Sequence, residues 1–221
     1  MFSARQGFQG GIAGDPYWNS VQMLITARTG TTVDATGKAS ITTAPTVYSS
    51  PVKYNPYSFG QASTNSPWTI AAYSPRTASG LFTFEWWWRS VGTSATTPFE
   101  VGWIIGVLVG QIGTVNSNRW TINVSSNLYN MTTANVYDQQ WHHVCWTRNA
   151  SNVNNLYFDG VQSATTVPDT TWSFGSALTF NGAGGGDNYS NSYWDDIRLT
   201  VGVCRYTGNF TPPVGPLPTS L

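Results

Sequence analysis

Residues 81–89, LFTFEWWWR, leave this chain little choice of secondary structure. Phe82, Phe84, Trp86 and Trp88 share one parity, while Thr83, Glu85, Trp87 and Arg89 share the other. Successive side chains of a β-strand point to opposite faces, so the four rings form one apolar face that has to be covered. Taking four rings out of water removes on the order of 600 Å² of surface. That contributes on the order of ten kcal/mol before conformational entropy is subtracted. A pairing slip of one residue would turn all four rings to solvent, so the register is strongly specified.

The rest of the chain reads in the same period. Residues 141–162, WHHVCWTRNASNVNNLYFDGVQ, form a three-strand meander. Aromatic and β-branched residues fill 141–148, polar residues 149–155 interrupt them, and 156–158 return. Asp159-Gly160 then suits a two-residue type I′ turn, so Val161 starts a third, antiparallel strand. Val21, Met23 and Ile25 alternate inward, as do Trp120, Ile122 and Val124 in RWTINV. Residues 101–109 are apolar almost throughout, which fits a strand covered on both faces. Residues 171–181 hold another strand, and the glycine-rich 182–188 form a loop. In the last long strand, 193–201, Ile197, Leu199 and Val201 take the buried parity.

Short strands at regular spacing, with turn signals between them and no helix-period window, predict an all-β, antiparallel β-sandwich. The expected organisation is a glycine-bearing arm at 1–14, the sandwich at 15–207 and a proline-rich tail at 208–221. The tail is expected to leave the sheet as an extended segment, and both arms are expected to be mobile in isolation.

Composition narrows the function classes. Only 9% of residues are charged, and ten basic residues balance ten acidic ones. That gives no electrostatic footprint for nucleic acid or an anionic membrane. No apolar run has the length of a membrane span, and the first residues lack the core of a signal peptide, so the chain is expected to be soluble and unprocessed. Two cysteines, Cys145 and Cys204, are too few for a disulfide framework or a zinc site, and are expected to be buried free thiols.

Four stretches, DPYWNSVQMLI, FTFEWWWR, WHHVCWTR…NLYFDG and YWDDIRLTVGVCRYTGNFTPP, resemble the laminin G-like branch of the concanavalin A-like lectin/glucanase superfamily, in the form found in bacteriophage structural proteins. The resemblance implies a jelly-roll sandwich and a non-enzymatic virion protein, either a capsid decoration (cement) protein or a fibre or appendage protein. It would be made in the host cytoplasm and carried in the particle. The implied partners are other virion proteins, further copies of the chain in a homo-oligomer such as a trimer, and a host-surface glycan. The alternative is a carbohydrate-binding adhesin module.

The candidate chemistry is sparse. Glucanases of the superfamily carry catalytic carboxylates as Glu-x-Asp-x-x-Glu on one strand, and neither Glu85 nor Glu100 sits in such a pattern. Asp195 and Asp196 are adjacent and would face opposite ways on a regular strand, so no hydrolase is expected. His142 and His143 likewise diverge, and read as packing and hydrogen-bonding groups. No cofactor is expected, with Ca²⁺ the one candidate. Asp187, Asn188, Asp195 and Asp196 would be its oxygen donors, although they lack a recognisable ligand spacing. In the alternative reading, Asp196 pairs with Arg198 or Arg205, and Asp187 and Asn188 shape a turn. For carbohydrate, Glu85, Trp87 and Arg89 share the outward parity and would offer a ring to stack on, flanked by hydrogen-bonding groups. The competing reading covers Trp87 with a loop or a second copy.

Overall fold

The alternating segment becomes the strand Phe82–Ser90, at the centre of the first of two large sheets. A computed structural model describes residues 14–61, 68–78, 80–91, 104–107, 110–115, 119–124, 127–130, 136–165, 167, 172–180 and 192–221. The first sheet runs in the order Val161–Gln162, Asn154–Phe158, His142–Arg148, Phe82–Ser90, Ser192–Val201, Val21–Thr26 and Val33–Asp34. Ser58–Gln61 also pairs with Ser192–Val201 and carries Thr46–Tyr48. The second sheet runs Asn127–Asn130, Arg119–Val124, Gly110–Val115, Ile104–Val107, Leu178–Phe180, Trp68–Ile70 and Ile41–Thr43. Every strand pairing among the described residues is antiparallel, as expected of a β-sandwich.

The core lies between the sheets, where the parity of the central strand places it. Phe82, Phe84, Trp86 and Trp88 are all fully buried. Phe82 meets Trp146 edge-on at 5.0 Å, and Trp68 stacks on Phe180 at 4.0 Å from the opposite sheet. The meander pairs Trp146 with Phe84 and Val144 with Trp86, so its apolar parity joins the same layer. Its turn is of the predicted kind, with positive φ at both Asp159 (50°) and Gly160 (77°).

The tail departs from expectation. Instead of leaving the sheet, it crosses the outer face. The Phe210 N–H donates to Gly160 O at 3.0 Å, the Leu217 N–H donates to Asp196 Oδ2 at 2.6 Å, and Ser220 O accepts from Asp15 N at 2.7 Å. A β-carbon on Gly160 would stand 1.9 Å from Phe210 O, so glycine serves both the turn and the strap above it. Proline explains the extended path, and buried apolar contacts explain why it is held. Leu217 closes a small cluster with Val21 and Leu24 on the outer side of the sheet. Val21 reaches that side because the register shifts between Val21 and Met23. The arm at residues 1–13, Glu100, the 182–188 loop and the facing of Trp120, Ile122 and Val124 lie outside the described residues and side chains.

Candidate binding face

The outer face of the first sheet gathers the polar residues of the central strand and is covered by the tail. Glu85 Oε1 accepts from Arg198 Nε at 3.0 Å and from Arg198 Nη2 at 2.6 Å. Glu85 Oε2 accepts the Tyr206 hydroxyl at 3.0 Å and lies 3.2 Å from His143 Nε2. Arg198 Nη1 continues to Asp15 Oδ2 at 2.9 Å, and Arg205 makes two further bonds to the Asp15 carboxylate. Burial opposes the charge on Glu85, but the Arg198 guanidinium, helped by His143 and Arg205, holds its carboxyl well below the usual carboxylate range. Cys145 lies on the same face. It is buried and free, with its thiol pushed up chiefly by burial. Cys204 is also free and half-buried.

Three sequence-based expectations change here. First, Glu85 is fully buried and Trp87 is 5% exposed, so they present no open sugar platform. The 51–57 segment covers Trp87: Lys53 Nζ lies 4.1 Å from its ring centroid, and Tyr54 meets it edge-on at 5.6 Å. Burial pushes the Lys53 ammonium pKa down, against the pull of Asp159 and Asp195. Of the expected trio, Arg89 alone remains half-buried at the end of the strand, directly opposite Tyr193.

Second, Asp195 and Asp196 do not diverge. A register irregularity between Asp195 and Arg198, with Asp196 at φ 42°, turns both carboxylates toward Asn55. Asn55 Nδ2 donates to Asp195 Oδ1 at 2.5 Å and to Asp196 Oδ1 at 2.9 Å. Burial and the neighbouring Asp196 raise Asp195 to about 7, against the hydrogen bonds from Asn55 and Tyr54. Third, Asp196 pairs with Arg28 at 3.3 Å rather than with Arg198 or Arg205, which turn to Glu85 and Asp15. Asp187 and Asn188 lie outside the described residues, and no group of three metal-ligating side chains occurs among the described ones. The oxygens of Asp195 and Asp196 already accept protein hydrogen bonds, so this pair does not fit a calcium ion as it stands.

His142 and His143 do separate, as alternation requires. His142 sits at the rim, 12% exposed, with Nδ1 2.7 Å from Asp159 Oδ2 and Nε2 3.0 Å from Asp138 Oδ1. Burial disfavours its charge, but the two carboxylates outweigh that and raise its pKa. Sequence reasoning missed Asp15, Asn55, Lys53, Tyr48 and the wholly buried Arg76. Each has a partner across a long stretch of chain, Arg198, Asp195, Trp87, Tyr193 and Ser176 respectively, which no local spacing announces.

The sequence finds no match among protein-family models, and no curated protein matches it. The fold does have solved neighbours. The binding domain of botulinum neurotoxin DC, solved in complex with rat synaptotagmin II, superposes with a TM-score of 0.63 at 16% identity, over 83% of this chain and 48% of that one. The botulinum neurotoxin serotype D binding domain gives 0.62 at 13% identity, over 88% and 49%. The binding domain of Paraclostridial Mosquitocidal Protein 1 gives 0.62 at 12%, over 83% and 49%. This chain therefore spans about half the length of these neighbours, and the likeness establishes an all-β sandwich fold.

Proposed function

We propose that this chain is a non-enzymatic recognition module of a bacteriophage particle, a lectin-like sandwich that carries a glycan-binding site toward the host surface. The observation that carries this reading is the state of the carboxylates. Among the described residues Asp15, Asp34, Glu85, Asp138, Asp159, Asp195 and Asp196 are each held by protein hydrogen bonds, and Glu85 is locked to Arg198; Glu100, Asp169 and Asp187 lie outside them. Hydrolysis of a glycosidic bond needs two carboxyl groups flanking an open cleft. The architecture is also shared with domains whose work is attachment. One neighbour was solved in complex with rat synaptotagmin II, and cell entry of botulinum neurotoxin type C, another neighbour, depends on interaction with two ganglioside molecules. The laminin G-like identity and the placement on a virion rest on the sequence motifs, above all YWDDIRLTVGVCRYTGNFTPP. A fibre or appendage suits an adhesin better than a capsid decoration does. A homo-oligomer such as a trimer would multiply a weak single site.

A glycan array probed with the full chain tests the reading, alongside a reducing-sugar assay on the bound glycans. Binding without sugar release is the expected result. Turnover, or silence across the array, would overturn it. Antibody labelling of purified particles should mark the tail appendage; label on the capsid shell would assign the decoration role instead.

A further inference from the structure

We infer that the Arg89 end of the first sheet's outer face is a subsite for a carboxylate-bearing sugar, with Arg89 binding the carboxylate and Tyr48 and Tyr193 forming the wall beside it. This rests on the glycan-binding reading and names the ligand class for it.

The argument starts from Arg89. It follows Thr83, Glu85 and Trp87 on the outward parity, but it is half-buried where those three are buried. The other arginines with described side chains all have acceptors. Arg28 bonds Asp196, Arg76 bonds Ser176 O, Arg148 bonds Gly80 O, and Arg198 and Arg205 bond Asp15. The Nε of Arg89, like those of Arg28 and Arg76, is buried without an acceptor, but Arg89 alone of these has no acceptor for its other nitrogens among the described residues. A buried N–H without an acceptor is unfavourable, and an oxygen supplied from outside relieves it.

The surroundings select the oxygen. Tyr193 is the register partner of Arg89, on the same face of the sheet. Tyr48 meets the Tyr193 ring edge-on at 5.1 Å and 88°, across Gly60, which contributes no side chain. A planar guanidinium beside a right-angled pair of tyrosines offers a two-toothed grip for a carboxylate, with amphipathic rings for the sugar body. One cation in a chain of zero net charge matches a single carboxylate. A polyphosphate or nucleic acid backbone needs a row of cations.

The test is titration of the full chain with 3′-sialyllactose and with trigalacturonate, each against lactose, in the parent and in Arg89→Gln, Arg89→Lys and Tyr193→Ser. An acidic saccharide should bind at least about tenfold more tightly than lactose. Arg89→Gln should lose at least about tenfold of that affinity, while the melting temperature stays unchanged. Arg89→Lys should keep part of it, because charge survives while the fork is lost. Tyr193→Ser should weaken acidic binding with Arg89 intact. Equal affinity for acidic and neutral saccharides, or acidic binding indifferent to Arg89→Gln, would overturn the subsite and leave the glycan-binding reading standing. No saccharide binding at millimolar concentration would overturn both.

Discussion

The two faces of the strand Phe82–Ser90 share one backbone and are both buried, yet they are held by different physics. Inward, Phe82, Phe84, Trp86 and Trp88 lie in a continuous apolar layer closed by the second sheet. Outward, Thr83, Glu85 and Trp87 are closed by segments without regular structure, and Thr83 and Glu85 are hydrogen-bonded across the gap to Val203, Arg205 and Tyr206. Apolar burial is non-directional and scales with area. Buried charge is directional and tolerable only while each partner is in place. The inner face therefore supplies stability, and the outer face dictates where the tail must lie.

The inner face should be the easier to damage in bulk. Trp86→Ala removes a fully buried ring at the middle of the layer and should cost about 3–5 kcal/mol, measured by urea unfolding. A loss below about 1 kcal/mol would mean that the core can collapse around the gap. On the outer face, Arg198→Met should cost about 3 kcal/mol, because Glu85 is left charged and buried without its guanidinium. Adding Glu85→Gln to that variant should recover part of the loss, since the amide is neutral and its carbonyl still accepts from Tyr206. If both single variants behave like surface substitutions, within about 0.5 kcal/mol, the contrast between the faces fails. Leu217→Ala tests the strap itself. The Val21–Leu24–Leu217 cluster is small, so about 2 kcal/mol is expected, with faster labelling of Cys145 by a thiol reagent in a Cys204→Ala background.

What was legible in the sequence divides along the same line. The inner parity of Phe82–Trp88 and the Asp159-Gly160 turn obey rules that need only near neighbours, namely a period of two and positive φ at paired turn residues. The outer face does not. Glu85 and Trp87 looked exposed because nothing within a few residues covers them, while their cover comes from Tyr206 and from Lys53 and Tyr54. Asp195 and Asp196 looked divergent because alternation assumes an unbroken ladder, and one irregularity turns both toward Asn55. The same break explains why Trp194 and Ile197, of opposite parity, are both in the core. Arg89 was legible as a site residue, but for a reason that required the other two members of its trio to be exposed.

The pH dependence of stability separates the buried Asp195–Asp196–Asn55 cluster and the rim cluster at His142 from the apolar core. Asp195 has its folded pKa raised to about 7, above the unfolded value of about 3.9. A raised acid pKa means that the folded state holds its proton longer than the unfolded state does. Stability is then highest below about pH 4 for this group, and falls as pH rises toward 7. His142 also has its folded pKa raised, by Asp159 and Asp138 against the opposing effect of burial. Its contribution is complete below the unfolded pKa of about 6.5 and is lost as pH climbs through the higher folded value. Both slopes point the same way, so the windows distinguish them. Asp195→Asn should flatten the fall between about pH 4 and 7 by up to about 4 kcal/mol, from roughly three pH units at about 1.4 kcal/mol each, while the amide oxygen still accepts from Asn55. His142→Asn should flatten only the fall above about pH 6.5, by less than about 1 kcal/mol, because the ring sits at the rim where solvent screens its partners. Urea midpoints taken across pH in both variants check the assignment. A slope that survives Asp195→Asn unchanged between about pH 4 and 7 would place the titrating proton elsewhere than on the pair that Asn55 holds together.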